Sequence, residues 1–121
     1  MDISARTILL CEDDQNLRQL IRVVIGDGYR FVEASDGDEA LELASETEPD
    51  LVILDLMLPK LSGLDVLARL HDLPNRPHVI VMSAWADAEE AALSAGADRF
   101  VPKPFELDDL SNVVREALEQ R

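Results

Sequence analysis

Cysteine is almost absent from this chain. Cys11 is the one thiol in 121 residues, so neither an internal disulfide nor a cysteine-based zinc site can form. Cys11 itself reads as a small buried residue on a strand. Basic residues are scarce too: 11 Lys and Arg stand against 25 Asp and Glu, a net charge of −14. Nucleic acid calls for a basic stripe, and an anionic membrane surface attracts one, so direct binding to either is not expected. Long apolar runs are missing as well. The longest is far short of the roughly 20 residues a membrane helix needs. MDISARTILL moves straight into a strand-like pattern, without the apolar stretch of a secretion signal. A cytoplasmic protein is the expectation. His71 and His78 show no ligand-pair spacing and are expected at the surface or at helix ends.

What is present is a balanced globular composition, 47% hydrophobic and 30% charged, on a length that suits one domain over residues 1–121. Short strand-like runs alternate with helix-like ones. The expected strands are Thr7–Cys11, Arg30–Glu33, Leu51–Leu54, Val79–Met82 and Arg99–Val101. Leu17, Leu20, Ile21 and Val24 repeat at helical spacing before Gly26, Asp27 and Gly28 stop that helix. Asp14 is its expected N-cap. Asp36 and Gly37 precede a second helix with Ala40, Leu41 and Ala44 on one face. Ser62 and Asp65 resemble a capping box opening a third through Leu64, Leu67 and Leu70. A fourth, alanine-rich helix lies within 87–95, and a fifth carries Leu107, Leu110, Val114 and Leu118. All six prolines fall outside these patterns, which supports the boundaries. Five β–α units in series imply an α/β fold, a parallel sheet with helices on both faces.

In such sheets ligands bind beyond the carboxyl ends of the strands. After the first strand stand Glu12, Asp13 and Asp14; after the third, Asp55; after the fourth, Ser83 and Ala84; after the fifth, Lys103 and Pro104. An acidic triplet alone reads as a solvated turn or a cap. Several carboxylates at one edge repel, and an oxygen-seeking dication such as Mg²⁺ is the common remedy. Acids, dication, amine and hydroxyl together make a site for a phosphoryl group, at which a carboxylate can serve as nucleophile.

ILLCEDD, LVILDLMLP, VMSAWA and ADRFVPKPF, in that order, resemble the signature segments of response-regulator receiver domains, the CheY-like family, over roughly residues 6 to 120. The resemblance implies a (βα)5 doubly wound, flavodoxin/CheY-like sheet in strand order 2-1-3-4-5. It also implies a two-component signalling switch rather than a turnover enzyme. Asp55 matches the phosphoacceptor, served by a sensor histidine kinase or a histidine phosphotransfer protein. Asp13, Asp55, the backbone carbonyl of Met57 and, through water, Glu12 match the Mg²⁺ ligands. Lys103 is expected to pair with the carboxylate or phosphoryl oxygen. Ser83, with the backbone amide of Ala84, is expected to hold the phosphoryl group. Phe100 matches the switch aromatic that turns inward when Ser83 moves, although an aromatic on a strand buried on both faces also serves as plain core. The Lys103–Pro104 bond is cis in the family. The face formed by the fourth helix, fifth strand and fifth helix would then change shape for an unknown downstream protein or effector domain, or for a phosphorylation-dependent dimer.

Some positions depart from the commonest pattern. Glu12 stands where Asp is more frequent, and Ser83 replaces Thr while keeping the hydroxyl. Trp85, beside the site, either shields it from water together with Met57 or lies idle on the surface. Glu89, Arg99 and Val113 do not reproduce the charge pairs of receivers that dimerise through that face. The chain ends EALEQR directly after its last helix, which suits a stand-alone receiver or a piece of a longer protein. Rival readings are weaker. An aspartyl phosphatase wants a second acid two residues after the first, where Met57 stands. A flavin module wants a Ser/Thr/Gly-rich phosphate loop after the first strand, where the acids stand. A receiver reduced to an interaction module would not need the intact set of acids, hydroxyl and lysine.

Overall fold

The computed structural model describes residues 6–119; the first five residues of MDISARTILL and the last two of EALEQR lie outside them. Five strands, β1 (Arg6–Cys11), β2 (Tyr29–Ala34), β3 (Leu51–Asp55), β4 (His78–Ser83) and β5 (Arg99–Pro102), alternate with five helices. These are α1 (Gln15–Ile25), α2 (Gly37–Thr47), α3 (Gly63–His71), α4 (Glu89–Ser94) and α5 (Leu107–Glu119). The strands pair in parallel in the order β2-β1-β3-β4-β5, so the expected topology holds.

The solid apolar runs have a geometric cause. Side chains alternate across a strand, and both faces of this sheet are covered. Ile8, Leu10, Leu51, Ile53, Ile80 and Met82 face α1 and α5, where they meet Ile21, Leu110 and Val114. Leu9, Cys11, Val52, Leu54, Val79 and Val81 face the other way, toward Ala40, Val66, Leu67, Leu70 and Ala92 of α2, α3 and α4. Cys11 is buried as expected, and burial pushes its thiol well above the ordinary range. No helix among the described residues is long and apolar enough to cross a membrane.

Several boundaries differ from expectation. β2 gains a residue at each end, and β3 runs one further to include Asp55 itself. His78 is neither at a helix end nor fully at the surface: it opens β4 half-buried, paired with Leu51, and its Nδ1 is buried without a hydrogen-bond partner. Asp14 does cap α1, accepting from the amides of Asn16 and Leu17. Ser62 occupies the N-cap position of α3, but its hydroxyl makes no cap bond, so the expected capping box does not form. Leu64 and Leu20 lie on their helices' outer sides, at 40% and 44% exposure. The fourth helical segment begins as a 3₁₀ turn, Ala86–Ala88, before the six residues of α4. Alanine-rich, with Ala92 its buried residue, it brings little apolar area to hold it in place.

Candidate functional site

Parallel pairing carries the ends of β1, β3, β4 and β5 to one edge of the sheet, and the acids meet there. Carboxylate oxygens of Glu12, Asp13 and Asp55 lie within 4.8 Å of one another. Glu12 is 2% exposed and Asp55 5%, whereas Asp13 faces solvent. Lys103 reaches between the two buried acids, donating to Asp55 Oδ2 at 2.8 Å and Glu12 Oε1 at 2.9 Å. The other Asp55 oxygen accepts from the Met57 amide at 3.0 Å. Asp55 is therefore held at both oxygens, each with a lone pair to spare. The Lys103–Pro104 bond is cis.

One ammonium cannot neutralise two buried carboxylates and a third beside them. The imbalance appears on Glu12, whose pKa is pushed up to about 7, chiefly by burial. Lys103 and the Asp14 amide pull it down, and Asp55 pushes it further up. Burial works against the charge on Lys103, but its bonds to Asp55 and Glu12 outweigh that and hold its pKa above the ordinary value. The donor set is three carboxylates, all hard oxygens, which suits Mg²⁺ and not a soft metal. Both Glu12 oxygens already accept hydrogen bonds, from Lys103 and from the Asp14 amide, while nothing donates to Asp13 among the described residues. Asp13 is the freer carboxylate.

The remaining expected residues surround this cluster. Ser83 ends β4 fully buried, and its hydroxyl accepts from the Trp85 amide at 3.0 Å, with no hydrogen bond to Asp55. Ala84 is exposed beside it. Met57 and Trp85 are about half exposed, at 50% and 53%. Phe100 is partly buried on β5 and packs against the cluster beneath α2, α3 and α4. Arg99 bonds Glu116 of its own α5 at 2.9 Å. An apolar groove opens next to Lys103, lined by Leu17, Leu20, Ala84, Pro104, Phe105 and Leu107.

Three supporting residues escaped the sequence reading. Arg18 sends its guanidinium to the Glu12 carbonyl and to Glu33. Lys60 sits at φ +77° while Leu61 N–H donates to the Pro59 carbonyl across it, a γ-turn of the rare, strained kind. Its ammonium lies 3.4 Å from Asp36, the N-cap of α2, which ties the loop after Asp55 to that helix. Gly63 packs so closely on Leu56 that an added Cβ would sit 2.4 Å from the Leu56 carbonyl oxygen. Glycine is a poor helix former, and its place as the first residue of α3 was the available signal.

The model of the response regulator receiver domain matches residues 8–115. The response regulator MprA of Mycobacterium sp. (strain KMS) is 40% identical over 106 residues, 85% of this chain and 46% of that protein. The transcriptional regulatory protein KdpE of Mycobacterium tuberculosis is 41% identical over 114 residues, 92% of this chain and 50% of that one. The chain thus spans about half the length of these relatives. Among solved structures, a CheY-like receiver domain protein from Methanospirillum hungatei superposes with a TM-score of 0.89 at 27% identity, covering 97% of this chain and 96% of that one. The receiver domain of NtrX from Brucella abortus gives 0.86 at 31% identity, covering 94% and 99%.

Proposed function

We propose that this chain, which belongs to the response regulator receiver family, works as a single receiver domain over residues 1–121 that is phosphorylated on Asp55. One observation carries the reading. A carboxylate at the end of the central strand is held at one oxygen by an ammonium and at the other by an amide, beside two further acids.

In the reaction an Asp55 oxygen attacks phosphorus, the phosphorus–nitrogen bond of a phosphohistidine breaks, and the imidazole leaves with the bonding electrons. The donor is a sensor histidine kinase or a histidine phosphotransfer protein. The apolar groove beside Lys103 offers a helix that bears such a histidine a place to rest. Asp13, Asp55, the Met57 carbonyl and, through water, Glu12 are the residues that would hold Mg²⁺. That ion offsets the negative charge of the acids and of the phosphoryl oxygens. Lys103 stays against the phosphorylated side chain and shares that work.

Phosphorylation brings about two negative charges to this edge. Ser83 then leaves the Trp85 amide and turns toward the new oxygens, with the Ala84 amide as a second donor. Phe100 moves into the vacated space, and the α4, β5, α5 face changes shape for a downstream protein or effector domain. The short α4 makes that face the easiest to repack. A dimer through the same face would have to draw Arg99 away from Glu116, an exposed pair that holds it only weakly. Met57 stands where an aspartyl phosphatase would need its second acid, so the chain is read as a switch and not as a turnover enzyme, and family membership favours a cytoplasmic one. The test is Asp55→Asn: labelled phosphate from a phosphorylated kinase, or from a small acyl phosphate with Mg²⁺, should no longer enter the protein. Label appearing on that variant at the normal level would sink the assignment.

A further inference from the structure

Asp13 presents a problem that the acid cluster alone does not solve. It is exposed, and nothing among the described residues donates to its carboxylate, yet that carboxylate is within 4.8 Å of those of Glu12 and Asp55. Three like charges should drive the loosest of them outward. Something in the backbone must aim it.

The tethers are all on its neighbours. Glu12 N–H donates to the Ala34 carbonyl at 3.0 Å, and Asp14 N–H donates to Glu12 Oε2 at 3.1 Å. Between them, the Glu12 carbonyl accepts from the Arg18 guanidinium, one turn into α1. A peptide unit is planar, so holding that oxygen orients the Glu12–Asp13 plane, and with the Asp14 amide tethered as well the backbone rotations that aim Asp13 are restricted. Arg18 is itself anchored. Its Nε donates to Glu33 of β2 at 2.8 Å, and the side chain is only 15% exposed. The planar fork of arginine can serve both acceptors at once, which a lysine ammonium on a flexible stem does poorly.

We propose that Arg18 is a positioning residue for the Mg²⁺ ligands: it locks the Glu12–Asp13 peptide so that Asp13 faces Asp55. The inference rests on the metal-binding part of the function proposed above. It also makes a prediction opposite in sign to simple electrostatics. A cation near the acids repels Mg²⁺, so deleting it should tighten binding if charge is all that matters. If Arg18 positions Asp13, deleting it should weaken binding, by about tenfold, the lower range for residues that orient metal ligands from behind.

Arg22 supplies the control. It pairs with the same Glu33 at 2.6 Å and carries the same charge on the same helix, but is not bonded to Glu12. Mg²⁺ titrations of the wild type, Arg18→Gln, Arg18→Lys and Arg22→Gln, followed by amide NMR shifts around Asp13 and Asp55 and by Trp85 fluorescence, decide the matter. The expected result is weaker Mg²⁺ binding for Arg18→Gln, an intermediate loss for Arg18→Lys, and no weakening for Arg22→Gln. A melting curve on each variant separates folding from binding, because a purely structural arginine would lower the melting temperature and leave the Mg²⁺ affinity of the folded protein unchanged. Equal or tighter binding by Arg18→Gln overturns the inference while the phosphorylation reading stands. If Arg18→Gln does not fold, unimpaired binding by Arg18→Lys overturns it instead. Absence of Mg²⁺ binding by the wild type overturns both.

Discussion

The two edges of the sheet use the same residue type for opposite purposes. At the edge where strands begin, Asp50 accepts from the Thr7 amide at 2.8 Å and returns its own amide to the Thr7 carbonyl at 2.9 Å. Asp98 does the same with Val79, at the same two distances, and reaches Arg76 as well. These carboxylates are bound to amides on neighbouring strands and act as staples. At the edge where strands end, Glu12, Asp13 and Asp55 face one another with a single ammonium among them. Acids committed to amides of neighbouring strands tie the sheet together, whereas acids gathered around one ammonium are, on the function proposed above, the ones that do chemistry. An aspartate's role here follows from its partners and not from its burial or its place in an acidic run.

The contrast can be broken from either side. Asp55→Asn has the largest expected effect, complete loss of phosphorylation. Its thermal stability should not fall, since it removes a charge from a repelling cluster; a marked drop in melting temperature would make Asp55 a staple like the others. Gly63→Ala tests whether the edge where strands end depends on packing as well as charge. Its Cβ meets the Leu56 backbone, and overpacking against an unyielding neighbour costs about 3 kcal/mol. Denaturant unfolding should show that loss, together with weaker Mg²⁺ binding as the loop bearing Met57 shifts. Asp98→Ala should cost about 1–3 kcal/mol by stranding the buried Val79 amide, yet leave Mg²⁺ affinity at the wild-type value. A changed affinity would mean that the two edges are coupled.

Glu12 gives a subtler test. Its folded pKa of about 7 lies above its ordinary 4.5, so between those pH values the folded state holds a proton that the unfolded state has released. Its contribution to stability is therefore greatest below pH 4.5 and declines as pH rises toward 7. In metal-free buffer the wild type should lose stability relative to Glu12→Gln across that window; parallel curves would refute the shift. The smallest expected effect is that of Trp85→Ala, a loss of phosphoryl label about threefold faster, under 1 kcal/mol of barrier. An unchanged rate would leave Trp85 as surface alone.

Much of this was legible in the chain because the period-two and 3.6-residue patterns are strong and the strand ends carry their chemistry in one-residue steps. The five strands and the acids, hydroxyl and lysine at their ends were all readable. The staples were not, because Asp50 and Asp98 precede strands and look like ordinary loop acids until their neighbours are known. The Ser62 cap failed for a related reason: Ser62 has the right residue type and position, but its hydroxyl makes no cap bond. Arg18 was hidden in a helix face, since nothing in a sequence says which carbonyl a long side chain will find. Lys60 was hidden in a positive φ that non-glycine residues seldom adopt.

Alternation along the strands has one further consequence. Leu17 and Phe105, which line the groove beside Lys103, pack with the cluster under α1 and α5, whereas Phe100 packs with the cluster under α2, α3 and α4. On the function proposed above, a donor resting in the groove touches Leu107 of α5, a part of the output face, directly, whereas Phe100 lies across the sheet and is reached only through the charge deposited at the rim that both sides share.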